Sequence, residues 1–548
     1  MPLRSLSLHL PLFLVCLSVG CAADGATNTS ADDGYFVKGG SGKFDSSVEG
    51  IILDFEFDGT LKTTSSWNLA GQIEDQLLYT IGHLNGDRSV GRIDRLVLSK
   101  IKSQYASGGY TVTYHARLPV AWGKRGQIPA VYDLTLPFDV SYDGQEAFTD
   151  KYKDTCVDTG AHDVDSGVMW YYYRPDAYGC TLDPADVVTF TASATVSAIN
   201  TTGKYPEYHK VWEDDALRVV AIFGKNEDGE VAPTDPGIAA YNSFLSAVRD
   251  RLAGQSLVTT PASVPTSPGV DEPDVTFNAT FADGKEVEIV ALLVDNVRTA
   301  GPAFEARYES LSADADLIIY NGHAGLGANI RALASKGRWK AGQYAIVFMN
   351  GCDTYAYIDS SLADAHRAIN PDDPKGTKYL DIVTNGMPAF FHSLRRDTMA
   401  LVNGLLSYEA PQTYEQMFQL VDPAQVVLVS GEEDNVYFPG YGETPGPVDP
   451  AWTGLDESAS LSLDQTHRYE TPILPAGSYR FDTTGTGDVD LYVGLGKAPT
   501  MASYDCRPYR NGSTETCLVD LPSPAKIHIM VHAYDGPSTY RVTGKPNP

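Results

Sequence analysis

The run "ALRVVAIFG" (216–224) is apolar at nearly every position, with no alternation of buried and exposed residues. A strand of that kind must be covered on both faces, as in a parallel sheet wrapped by helices. "VEIVALLVDN", "ADLIIYNG" and "YAIVFMNG" repeat the texture, separated by helical or loop stretches such as "PAFEARYESL" and "ANIRALASKG". Asp235 and Pro236 form an N-cap and first-turn pair, followed by Tyr241, Phe244, Leu245, Val248 and Leu252 at helical spacing. Strand–helix–strand repetition predicts a mostly parallel α/β domain over 215–435, extended by "GMPAFFHSL" and the helix-like "RDTMALVNGLL". The Pro-rich "PASVPTSPGVDEPD" (261–274) is expected as a surface loop.

The flanking regions differ. Residues 45–205 carry short alternating stretches such as "YTVTYHARLPVAW", which predict a β-rich α+β domain of half-exposed antiparallel strands. Within it "QIEDQLLYTIGHL" sets Ile73, Leu77 and Ile81 on one helix face. The aromatic run "WYYYRP" (170–175) reads as core packing with one exposed edge. A Pro/Gly linker spans 436–455, and the short strands of 456–548 predict a small β-sandwich. With 548 residues the chain is long for one core, in keeping with several domains.

The net charge, 41 − 70 = −29, excludes nucleic acid as an expected partner, because phosphate binding needs clustered Lys and Arg. The N-terminus, "MPLRSLSLHLPLFLVCLSVGC", has an apolar stretch too short to span a bilayer but suited to an export signal over 1–20. "LSVGC" resembles a bacterial lipobox, which makes Cys21 a lipid-attachment residue; simple secretion is the alternative. Residues 21–44 have the composition of a flexible tether. The expected location is therefore outside the cytoplasm, either secreted or held at a membrane only through that lipid.

Of seven cysteines, Cys16 and Cys21 belong to the export segment. Cys156 with Cys180, and Cys506 with Cys517, bracket short loops and are expected as disulfides in an oxidising compartment. Cys352 is left alone, at the end of "YAIVFMNG". A lone cysteine on an apolar strand is ordinarily a small buried hydrophobe. Here the preceding strand, "DLIIYNGHAGLG", ends comparably on His323, and 352 − 323 = 29 residues leave room for one crossover helix. Neighbouring strands lie about 5 Å apart, within reach of an imidazole and a thiol. A thiolate nucleophile, an imidazole proton carrier and backbone amides left accessible by Gly322, Ala324, Gly325 and Gly351 suit acyl transfer. No other Cys or His stands at metal-ligand spacing from this pair, and His366 and His392 are isolated, so no metal is expected there.

These motifs, "IIYNGHAG", "IVFMNGCDTY" and "GMPAFFHS", resemble the caspase-like cysteine peptidases, closest to the gingipain-type bacterial branch. The resemblance implies Cys352 as nucleophile, His323 as proton donor, and oxyanion donors at the Cys352 amide and at Ala324 or Gly325. It departs from the family at Ala324, where glycine is usual. It implies a protein or peptide substrate and no cofactor. "GDVDLYVGLGKAPTMASYDCRPYRNGSTETC" with "IHIMVHAYDG" resembles the bacterial pre-peptidase C-terminal domain, whose acidic turn residues Asp488 and Asp490 make calcium a candidate cofactor. The function expected is an exported cysteine endopeptidase. The alternatives are an inactive caspase-like surface lipoprotein acting as a binding module, and a glycan binder using the Trp170 run.

Overall fold

The computed structural model describes residues 43–106, 108–441, 449, 451–501, 504–508, 511–521 and 524–547. The export signal, Cys21 and nearly all of the expected tether lie outside the described residues, as do 442–448 and 450 of the linker.

The central sheet contains β1 (Ala216–Gly224), β2 (Ser256–Thr260), β3 (Asp274–Thr280), β4 (Glu286–Val294), β5 (Leu317–Asn321), β6 (Ala345–Asn350), β7 (Leu380–Asn385) and β8 (Val427–Gly431). Their spatial order is β8-β7-β6-β5-β1-β4-β3-β2, with Ser46–Ser47 added beyond β8. Only the five strands from β7 to β4 run parallel; β8, β3, β2 and Ser46–Ser47 pair antiparallel. The parallel character is thus confined to the middle of the sheet, where the strands are mostly buried. The edge strand β2 alternates exposed and half-buried residues, as a one-sided strand does. β7 ends at Asn385, just before the "GMPAFFHSL" segment, which forms a loop over the strand tips.

Helices α1 (Pro236–Arg251), α2 (Pro302–Ser312), α3 (Ala328–Lys336), α4 (Ser361–Ile369) and α5 (Leu394–Leu405) cover the sheet. The side chain of Asp235 accepts from the amides of Gly237 and Ile238, with Pro236 at the first turn of α1. One face buries Tyr241, Phe244, Val248, Leu401 and Leu405 against the sheet; the other buries Tyr308, Ile330, Leu333 and Leu362. Each such side chain contributes about 1.5–3 kcal/mol of burial.

Residues from Ile51 to Val196 form a six-stranded, wholly antiparallel sheet packed on the helix Leu69–Asn85. Ile73 and Leu77 enter the core of that sheet, whereas Ile81 enters the second core of the central sheet. One helix therefore bonds the two regions through a shared apolar seam. In the C-terminal region five strands share one antiparallel sheet around a single core. Gly477–Leu495 and Ile527–Pro546 pair along almost their whole length, with register shifts around Asp488.

Candidate active site

β5 and β6 are hydrogen-bonded parallel neighbours, with Asn321 opposite Asn350. His323 and Cys352 each stand two residues beyond those partners, at one level on adjacent strand tips. The next tip in the sheet, after β7, contributes the loop 386–393. Three tips therefore converge.

The His323 ring is exposed and meets Phe391 edge-on, with centroids 5.2 Å apart. Its Nε2 lies 3.1 Å from the Asn226 carbonyl, just past β1. A carbonyl only accepts, so Nε2 carries the proton in this pair and Nδ1 is the free base of the neutral ring. Cys352 is the single unbridged cysteine among the described residues, half-buried, its thiol 3.4 Å from the Ala389 carbonyl. Burial, and next the adjacent Asp353 carboxylate, push this thiol up to about 11. Asp353 is fully buried in a left-handed conformation (φ 51°). One of its carboxylate oxygens accepts from Asn85 Nδ2 at 3.0 Å, and the other has no partner. Burial raises its pKa to about 6, partly offset by the Asn85 bond.

Cys156–Cys180 and Cys506–Cys517 are disulfides, with Cα atoms 4.7 and 5.9 Å apart. The first closes the loop that carries the aromatic run. Tyr173 is buried in the N-terminal core. Trp170 packs 6.2 Å from Tyr357, and Tyr171 lies against Asp353 and Cys352. Burial, then those two groups, hold the Tyr171 hydroxyl far above its usual range. The run thus lies beside the thiol, which the local pattern "WYYYRP" does not reveal.

The oxyanion candidates are set close together. A Cβ on Gly351 would come within 2.8 Å of the Gly322 carbonyl and 3.3 Å of the Ala324 nitrogen, so glycine allows the two tips to approach. Ala324 is buried, and Gly325 has φ 58°. Asp490 is paired with Arg507 at 2.8 Å, and Asp488 accepts from the Gly512 amide at 2.9 Å. Among the described residues no three His, Cys, Asp or Glu side chains gather as metal ligands. His366 is buried against Trp339, and exposed His392 is 4.0 Å from Asp422.

Residues 475–533 match the family model described as bacterial pre-peptidase C-terminal domain. The C-terminal module is a pre-peptidase C-terminal domain. The chain is 41% identical over 96 residues to the "Neutral protease" of Vibrio proteolyticus, covering 17% of this chain and 16% of that relative. It is 48% identical over 50 residues to the "Zinc metalloprotease" of Helicobacter pylori, covering 9% and 20%. A third relative is the "Extracellular protease" of Xanthomonas campestris, 41% identical over 85 residues, 15% of this chain and 14% of that one. The chain thus spans a fifth or less of these relatives' lengths. Among solved structures, the pre-peptidase C-terminal domain of a Bacillus anthracis collagenase covers 17% of this chain at 20% identity, 90% of its own length and TM-score 0.14. A zinc and an alkaline serine protease both appear among the relatives, so similarity over these short stretches does not specify a catalytic mechanism.

Sequence reasoning missed Asn85, Tyr171, Asn226, Asn329 and Asn385 as neighbours of the site. One signal was available. β5, β6 and β7 all end in Asn-Gly, as "YNG", "MNG" and "TNG".

Proposed function

We propose that the chain is an exported bacterial cysteine endopeptidase with a caspase-like central domain over 215–435. The carrying observation is the parallel register that sets His323 and Cys352 level on adjacent strand tips. Cys352 Sγ attacks the scissile carbonyl carbon while its proton passes to His323 Nδ1. The Asn226 carbonyl, bonded to Nε2–H, orients the ring and stabilises the imidazolium. Collapse of the tetrahedral adduct gives a Cys352 thioester, and His323 protonates the departing amine. Water, deprotonated by His323, then releases the acid and regenerates the thiol. The protease names of the relatives support a protein substrate, and the pre-peptidase module supports export.

In this reading the N-terminal region acts as a pro-segment, because it brings Tyr171 beside the thiol. The test is hydrolysis of casein and short peptides by the full chain, before and after limited proteolysis, beside Cys352→Ala and iodoacetamide-treated protein. Activity lost in both controls is expected; proteolysed wild-type protein that cleaves nothing refutes the reading. The raised thiol favours a second reading, an inactive caspase-like binding module. A thiol that stays unreactive after proteolysis would establish that one instead.

A further inference from the structure

Two peptide groups carry the oxyanion donors of the peptidase reading, and each is held by its carbonyl end. The peptide joining His323 to Ala324 presents the His323 oxygen, which accepts from Asn329 Nδ2 at 2.7 Å and from the Tyr320 hydroxyl at 2.8 Å. The peptide joining Gly351 to Cys352 presents the Gly351 oxygen, which accepts from Asn385 Nδ2 at 3.2 Å. A peptide is planar and trans, so its N–H points opposite its C=O. Pinning each oxygen from beneath therefore aims the Ala324 and Cys352 N–H groups the other way. Neither N–H donates to a backbone carbonyl of the described residues.

The anchors are themselves fixed. Asn329 and Asn385 are buried. Asn329 Nδ2 also donates to the Tyr320 hydroxyl at 3.1 Å. Asn385 Nδ2 also donates to Asn350 Oδ1 at 2.9 Å, and Asn350 Nδ2 donates to Asn321 Oδ1 at 2.9 Å. Thr398 donates to the same Asn321 oxygen at 2.8 Å. The side-chain amides thus form a chain across β5, β6 and β7, directly under the catalytic tips. Beyond Cys352 the backbone is clamped again, because the Asp353 N–H donates to the Met387 carbonyl at 3.2 Å. Gly325 is part of the same device: a Cβ there would lie 3.2 Å from Asn329 Nδ2.

The geometry points to Asn329, with Tyr320, and Asn385 as positioning residues that preorganise the two oxyanion-donor peptides of the peptidase site. This rests on the peptidase reading above. Preorganised donors act on the tetrahedral state, so their loss lowers kcat and leaves ground-state binding and thiol reactivity alone.

The test uses the full chain after limited proteolysis, as Asn329→Leu, Asn385→Leu and the milder Tyr320→Phe, each confirmed folded by its thermal transition. Four quantities are read: kcat and KM on a short peptide, affinity for a peptide aldehyde that forms a tetrahedral adduct with the thiol, and the iodoacetamide alkylation rate, which needs no oxyanion hole. The asparagine variants should lose kcat and aldehyde affinity together, by on the order of 10- to 100-fold, with KM and alkylation unchanged. Tyr320→Phe, which leaves the Asn329 bond in place, should lose roughly 3-fold. Folded variants that keep kcat, or that lose alkylation in proportion, overturn the assignment. An active, Cys352-dependent wild type with unaffected variants refutes this inference alone; an inert wild type refutes the peptidase reading and this one with it.

Discussion

Replacing Asp353 by Asn isolates the electrostatic control of Cys352. The thiol sits at about 11 against an ordinary 9.0, with burial the larger cause and the Asp353 carboxylate next. At pH 8 that leaves about one thiolate in a thousand. Asn keeps an acceptor for Asn85 Nδ2 and removes the charge, so the thiol should fall by on the order of one pH unit. Thiolate then rises about 10-fold, but nucleophilicity drops with pKa, leaving alkylation about 3-fold faster at pH 8. Because Asp353 titrates at about 6, the two proteins should react alike below pH 5 and diverge through pH 6. The assay is iodoacetamide alkylation followed by intact mass from pH 5 to 10. A variant that reacts no faster than wild type above pH 7, or a wild-type thiol that titrates near its ordinary value, refutes the reasoning.

Tyr171→Ala should uncover the thiol and speed alkylation at pH 8 by roughly 3- to 10-fold, since burial is the main cause of its raised pKa; an unchanged rate would mean that the aromatic run is no barrier. Lys204 and Asp381 form a fully buried ion pair at 2.9 Å. Lys204→Met leaves that carboxylate unpaired and should cost about 3–5 kcal/mol in urea unfolding. His366 is buried and held down at about 4 from 6.5, so the folded state prefers its neutral form. Its contribution is intact above pH 6.5 and is lost as pH falls toward 4, by roughly 3 kcal/mol. His366→Leu should flatten that part of a stability–pH profile, and an unchanged slope would contradict the burial argument.

Local pattern exposed the central strands because a parallel strand buried on both faces is largely apolar. Likewise α1 was legible from Asp235, Pro236 and the helical spacing behind them, and the two disulfides from cysteine pairs that bracket short loops in a chain expected to be exported. The antiparallel strands β2, β3 and β8 were harder to read as part of this sheet, because alternation or brevity does not tell which sheet receives a strand. Ser46–Ser47 is the extreme case: two polar residues from the start of the chain close the far edge beside β8. Ile81 looked like a third core residue of its own helix, yet it packs under the central sheet, since helical spacing defines a face and not the partner that covers it.

At the candidate site, chain order alone brought out His323 and Cys352, because successive parallel strands deliver their tips to one edge. What covers and orients them came from far away in sequence. Asn85 and Tyr171 reach Asp353 and Cys352 across more than 180 residues, and Asn226 reaches His323 across 97. No periodicity carries such pairings: those of Asn85 and Tyr171 arise when a shared apolar seam seats the N-terminal helix against the sheet, and that of Asn226 arises because β1 lies beside β5. Side-chain type and strand order are local properties of the chain. The direction in which a peptide N–H points depends on which distant group holds its carbonyl, and only the packed fold decides that.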